Sequence, residues 1–290
     1  MIWGALLYGV VNSIALALMA LGFNLTFGIS GIANFSYGAM YVFAGYGTWM
    51  LFQKLGAPLF LSIPMMVFLT GLTGAIMYRL VLVRLRGLVI SEVIATFGIG
   101  LAALELFRFM GLIGFEYTLP VLVDGSIQVG PFFLDIQRAF IIVCGILLTA
   151  FLWVFTRYSP VGLAFRGMAQ DEYTALCLGI DTDKVAMLAM GLGGGLCALA
   201  AVVILPLGTI SVDAGYDVLL EALAVCIVGG LGSAVGMVVA SFILGMAQSM
   251  ASMFMGSHWM MIVNLVAILV ILAARPSGLL GKQKELEERI

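Results

Sequence analysis

The chain has 290 residues, 63% of them apolar, and a mean hydropathy of +1.19. Only 13 are Lys or Arg and 15 Asp or Glu, 10% of the chain with net charge −2, where an ordinary soluble domain carries about 25% charged residues. This excludes a water-soluble globular protein and, with no basic face to meet phosphates, a nucleic-acid binder; one His (His258) and four scattered Cys leave no ligand cluster for a metal or for acid–base catalysis.

A helix needs about 20 mostly apolar residues to cross the hydrocarbon. Such blocks run over 5–29, 38–53, 59–83, 87–111, 139–156, 185–205, 234–253 and 259–274. They predict an all-α polytopic membrane protein with about eight or nine transmembrane segments, some of them interrupted or re-entrant. The first block opens Met-Ile-Trp-Gly with no basic n-region and reads as a retained span rather than a signal peptide. After it Gly28, Ser30, Gly31, Asn34, Ser36 and Gly38 break the chain. In the block over 87–111, Glu92 is expected to reach water near one end, and Glu105 to pair with Arg108 three residues on. Residues 112–137 carry Glu116, Asp124 and Asp135 around Pro120, Gly125, Gly130 and Pro131, which is turn chemistry.

The segment from Arg157 to Lys184 is polar by this chain's standard. Within it Asp171 is a candidate N-cap and Gly179 a candidate C′ residue, bracketing a helix of about seven residues, roughly 10 Å long. That is too short to span a bilayer, but it suits either an ordinary loop helix or one that offers Glu172, Tyr173 and Leu176 to a soluble partner's groove. Further on, 206–217 holds Pro206, Gly208, Asp213, Gly215, Tyr216 and Asp217 without a basic residue. Both acidic loops could dock an external partner or simply be solvated. A ninth apolar block, 218–229, contains Glu221, ends in Gly229-Gly230-Leu231-Gly232, and reads as a half helix or a tilted, interrupted span.

Ten of the 13 basic residues fall in three clusters: Arg79, Arg84 and Arg86; Arg157, Arg166 and Lys184; Arg275, Lys282, Lys284 and Arg289. The positive-inside rule places all three, and the C-terminus, in the cytoplasm. Nine crossings put the N-terminus outside; a re-entrant early segment puts it inside.

Gly31 and Gly38 in the first half, and Gly229, Gly230 and Gly232 in the second, are helix breaks. Paired breaks point to a two-repeat transporter with a central pathway, because unwound backbone at membrane depth must face protein or water; the competing reading is close helix packing by small residues. Asn12, Asn34, Tyr37 and Glu221 are the candidate pathway residues, as polar groups on spans. Intramembrane Glu92, Glu105 and Glu221 also admit an ion-coupled transporter. No Gly-rich P-loop sequence is present, so any use of ATP requires another subunit.

Four motifs in order resemble the smaller permease of branched-chain amino acid ABC importers. They are Gly31 to Gly38 with Asn34 and Phe35; Arg157-Tyr158-Ser159 with Gly162, Arg166, Ala169, Asp171, Ala175, Leu178-Gly179-Ile180 and Asp183; Gly229 to Gly236; and Arg275-Pro276 with Gly278-Leu279-Leu280-Gly281. The resemblance covers nearly the whole chain. It implies a two-repeat permease fold in a single transmembrane domain over 1–290, with a coupling segment at 157–184 and a cytoplasmic tail at 275–290. It further implies a non-enzymatic subunit without cofactor in the bacterial inner membrane. Its partners would be a second homologous permease in a heterodimer, two ATPase subunits, a periplasmic binding protein and membrane lipid. Arg166, Asp171, Glu172, Tyr173, Ala175, Leu176 and Gly179 would then couple to the ATPase. Tyr37 stands where members often have His, and Glu221 near a position where some carry Lys, so amides, urea and small aromatic carboxylates stand beside amino acids as candidate substrates.

Overall fold

Without water to bond the backbone, an apolar chain satisfies its peptide groups within helices, and twelve α-helices make up most of the described structure. The computed structural model describes residues 2–113, 117–123, 125–129 and 132–281. Glu116, Asp124, Gly130 and Pro131 of the first acidic loop, and Lys282, Lys284 and Arg289 of the tail, lie outside the described residues.

The order is α1 (Ile2–Ser30), α2 (Tyr37–Trp49) continued by a π-helical turn over Met50–Lys54, and α3 (Leu59–Met77) continued by a π-helical turn over Tyr78–Leu82 and the single turn α4 (Val83–Leu85). Then come α5 (Val89–Phe109), strands β1 (Ser126–Val129) and β2 (Phe132–Asp135), α6 (Ile136–Tyr158), α7 (Pro160–Gln170) and α8 (Glu172–Cys177). The chain closes with α9 (Thr182–Ile204), α10 (Val212–Gly229), α11 (Ala234–Met255) and α12 (Trp259–Ala274). Six helical stretches are long and apolar enough to cross a membrane: Gly4–Ser30, Leu59–Leu85, Val89–Phe109, Ile136–Tyr158, Thr182–Leu207 and Ala234–Met255. The 16-residue α12 is a shorter apolar helix.

Residue size decides which helices sit at the centre. In α9, 67% of the span is buried, against 11% in α6. The small residues of α9 explain this: Gly193 lies against Gly22 and Thr26 of α1, and Gly194 against the Thr70 and Gly71 backbone of α3. Backbones that approach this closely gain packing where lipid offers no hydrophobic driving force. Hydroxyls in these helices bond back to their own turn, as Ser13 does to the Gly9 carbonyl and Thr70 to the Met66 carbonyl, each at 2.7 Å, so they bring no unpaired group into the core.

Four local expectations are corrected. α10 begins at Val212, where the Ser211 hydroxyl accepts from the Ala214 N–H at 3.1 Å; Asp213, Gly215, Tyr216 and Asp217 are therefore helical, and the loop shrinks to a 3₁₀ turn over Leu205–Leu207 and a short link. Acids hide a helix start from hydropathy, although they favour the positive end of its dipole. The first acidic loop contains the antiparallel pair β1–β2, with Ser126 opposite Asp135. A further helix, α7, precedes the short one; Ser159 caps it by accepting from Gly162 N–H at 2.8 Å, with Pro160 at its first position. Glu92 does not reach water: it is 5% exposed and accepts from the Gly87 N–H at 3.1 Å.

Candidate functional site

The helix breaks from the two halves of the sequence meet. Gly28, near the end of α1, packs against Gly232 in the α10–α11 turn, and the Asn24 carboxamide oxygen accepts from the Gly232 N–H at 3.0 Å. The C-terminal segment closes on the same turn: Leu279 N–H donates to the Val228 carbonyl at 2.9 Å and Leu280 N–H to Gly229 at 3.0 Å. These bonds satisfy carbonyls that the end of α10 would otherwise leave bare. Gly230 has φ +101, and the backbones of Gly281 and Ser277 occupy the space its side chain would need.

The first break, residues 31–36, is held partly by its own Asn34 and partly by α5. The Asn34 oxygen accepts from both the Ser36 N–H (3.1 Å) and the Ser36 hydroxyl (2.6 Å), while Phe35 N–H donates to the Thr96 hydroxyl of α5 at 3.2 Å. α2 therefore starts deep in the bundle: the Cys197 thiol, about 22 Å along α9, approaches the Tyr37 carbonyl at 3.5 Å. Tyr37 is 1% exposed, edge-on to Phe23 at 5.8 Å, with its hydroxyl over Gly22 and no hydrogen-bond partner among the described residues. Gly38 meets the Gly215 carbonyl of α10 directly. Beside that contact lies a small, partly open cleft between α2, α5 and α10, lined by Phe35, Phe97, Gly100 and Tyr216 among others and with room for about one water molecule.

The four candidate pathway residues are not brought together. Asn12 donates to Gln248 Oε1 of α11 at 2.7 Å, and Gln248 in turn donates to Asn264 Oδ1 of α12 at 2.7 Å, a relay that ties three helices. Asn34 is committed to its own break and Tyr37 is packed in the core. Glu221 is half-buried and shares one face of α10 with exposed Asp213 and Asp217, each four residues apart. Glu105 pairs with Arg108 at 2.7 Å.

At the opposite end of α9 from its 3₁₀ turn, Asp171 caps α8 by accepting from the Thr174 N–H at 2.8 Å, and Gly179 (φ +83) ends the turn that follows. α8 buries Ala175 and exposes Tyr173 (78%), Leu176 (52%) and, just beyond it, Leu178 (76%). Glu172 is ion-paired with Arg86, which also bonds Asp183 and, at 2.8 Å, the Thr182 hydroxyl. Arg166 Nη2 donates to the Arg157 carbonyl at 3.1 Å.

Sequence reasoning missed Arg86, Asn24, Gln248 and Asn264 as organising residues. The three amides were visible as polar residues inside apolar blocks. Arg86 carried no signal beyond its charge, since its partners lie about a hundred residues away.

Residues 5–273 match the family model described as branched-chain amino acid transport system / permease component. The chain is 27% identical to the high-affinity branched-chain amino acid transport system permease protein LivH of Escherichia coli K12, over 94% of each. It is 25% identical to the corresponding permease protein BraD of Pseudomonas aeruginosa, over 92% of this chain and 91% of BraD. Among solved structures, PsaBC from Streptococcus pneumoniae in complex with Fab shares the fold, with a TM-score of 0.52 and 14% identity over 91% of this chain and 90% of that one. Matched almost from end to end, this polytopic chain belongs to the permease family of branched-chain amino acid transport systems, whose members are membrane transport subunits rather than enzymes.

Proposed function

We propose that the chain is the permease subunit of an ATP-driven importer that passes branched-chain or other amino acids, received from a periplasmic binding protein, across the bacterial inner membrane. A second homologous permease completes the core, and two ATPase subunits drive it. The observation that carries this reading is the short helix α8. Its apolar side chains Tyr173, Leu176 and Leu178 are exposed at the end of the bundle that holds Arg84, Arg157 and Arg166, where positive charge marks the cytoplasm. Apolar surface held outside the hydrocarbon favours a protein partner. In this arrangement Arg166, Asp171, Glu172, Tyr173, Ala175, Leu176 and Gly179 form or brace the seat of the ATPase, and the tail beyond Arg275 is cytoplasmic.

The pathway runs along the exposed face of α10. Glu221 lies about 14 Å into that helix, and a carboxylate at such depth must face water or a protein partner rather than lipid. The surface beside Gly38 and Gly215 that borders this face has an apolar lining, with Leu101, Leu104 and Leu219 among its residues. Asn12, Asn34 and Tyr37 lie off this face and act through packing: Asn12 ties α1 to α11, Asn34 holds the first break and Tyr37 fills the core.

The test is co-expression with the neighbouring subunits. The double substitution Tyr173→Asp and Leu176→Asp is expected to abolish both co-purification of an ATPase and ATP-dependent uptake. Uptake that survives the double substitution and vanishes on collapsing the membrane potential would instead assign Asp213, Asp217 and Glu221 to ion coupling. Competition between leucine, amides, urea and small aromatic carboxylates then fixes the substrate.

A further inference from the structure

A helix of six residues does not hold itself: it is well below the length at which helices persist in water, and α8 buries only Ala175. A rigid handle must be anchored by something else. The connection from Asp171 follows α7, and at the other end the chain turns through Gly179 into α9. A side-chain tie is supplied by Arg86, in the link between α4 and α5. Its guanidinium pairs with Glu172 on α8, and it also pairs with Asp183 and bonds the Thr182 hydroxyl at 2.8 Å on the first turn of α9. Asp183 also accepts from the Tyr78 hydroxyl at 3.1 Å, and Tyr78 is a wholly buried residue of the π-helical turn that ends α3. The link itself is fixed from α5, because Gly87 N–H donates to the buried Glu92 carboxylate at 3.1 Å.

The Arg86 side chain thus joins α8 directly to the first turn of α9, and the same cluster reaches the end of α3 through Tyr78 and Asp183 and the start of α5 through Gly87 and Glu92. The planar guanidinium fork suits this task, since it can serve two carboxylates and a hydroxyl at once where an ammonium is a single point charge. We infer that Arg86 is a positioning residue: it makes α8 move as one body with α3, α5 and α9, and so passes a displacement of α8 to the helices around the pathway. This rests on the reading of α8 as the ATPase seat.

The experiment uses the complete importer in lipid nanodiscs. Arg86→Gln is expected to leave the ATPase bound and hydrolysing while substrate transported per ATP falls about tenfold, within the range of ordinary coupling energies. Hydrogen exchange at 172–178 should quicken in the same variant, with the rest of the bundle unchanged. The charge-reversed pair Arg86→Glu with Glu172→Arg should recover part of the transport that Arg86→Glu alone loses, a rescue that a merely structural role does not produce. Arg86→Lys, which keeps the charge and favours folding, should show the same loss at smaller size. An Arg86→Gln complex with ATPase bound, an unchanged ratio and unchanged exchange overturns the inference. Failure of any ATPase to bind the wild-type chain overturns instead the reading on which it rests, so the two failures are distinguishable.

Discussion

Between α1 and α2 the chain takes residues 31–36 to turn, and side chains hold them, one from within, as Asn34 accepts from Ser36, and one from α5, as Thr96 receives the Phe35 N–H. Between α10 and α11 the turn spans 230–233 and is held from afar, by Asn24 of α1 and by the C-terminal segment that hydrogen-bonds Val228 and Gly229. Glycine-rich sequence therefore serves two purposes here. In the first break it permits a local change of direction. In the second it admits the backbones of two remote segments, so any rearrangement of that turn has to move α1 and the C-terminal segment with it.

Gly31 and Gly230 test that contrast most severely. Both have positive φ, +69 and +101, but nothing lies within 4 Å of the space a side chain would take at Gly31, whereas at Gly230 the backbones of Gly281 and Ser277 fill it. Gly230→Ala is expected to add overpacking to backbone strain, about 3–5 kcal/mol together. Gly31→Ala should cost only the conformational part, about 1–2 kcal/mol. Thermal unfolding midpoints in detergent compare the two, and protease access to 275–281 should rise only for Gly230→Ala. Equal effects would erase the distinction between the breaks.

Asn34→Ala sharpens it from the other side. The Ser36 hydroxyl and N–H would lose their acceptor in a site where Ser36 is 2% exposed, an expected cost of about 1–3 kcal/mol. Because the Asn34–Ser36 bonds lie wholly within the first break, hydrogen exchange should quicken over 35–40 and stay unchanged over 228–236. Spread of the effect to the second break would show that the two are one cooperative unit.

How much of this was legible beforehand depended on the range of the interaction involved. Spans such as 259–274 and 234–253 follow from hydropathy alone, and the α8 cap at Asp171 and turn at Gly179 are signalled by residues within a few positions of each other. α7 was signalled as well, by Ser159-Pro160, a hydroxyl cap followed by the one residue pre-set for a first helical position. The start of α10 was obscured because Asp213 and Asp217 lower hydropathy while leaving the helix intact. What could not be read was everything set by long-range approach: Gly38 on Gly215, Asn12 to Gln248 to Asn264, and Arg86 reaching Glu172. A polar residue on a span shows that it needs a partner, and the sequence does not say which.

Tyr37 gives the smallest expected effect on stability and the finest test of the first break. Its ring packs edge-on against Phe23, so the aromatic body contributes to the core, while the buried hydroxyl over Gly22 has no partner among the described residues. Removing an unsatisfied hydroxyl and keeping the ring relieves a desolvation cost rather than breaking a bond. Tyr37→Phe should therefore leave the unfolding midpoint unchanged or raise it slightly. Transport separates two roles for the group. If uptake is also unchanged, Tyr37 only packs, and the pathway is left to α10. If uptake falls while stability holds, the hydroxyl finds its partner in another state of the cycle, one in which α2 has shifted from α1. The first break would then be the one that moves, with the second, pinned by α1 and the C-terminal segment, as its fixed counterpart.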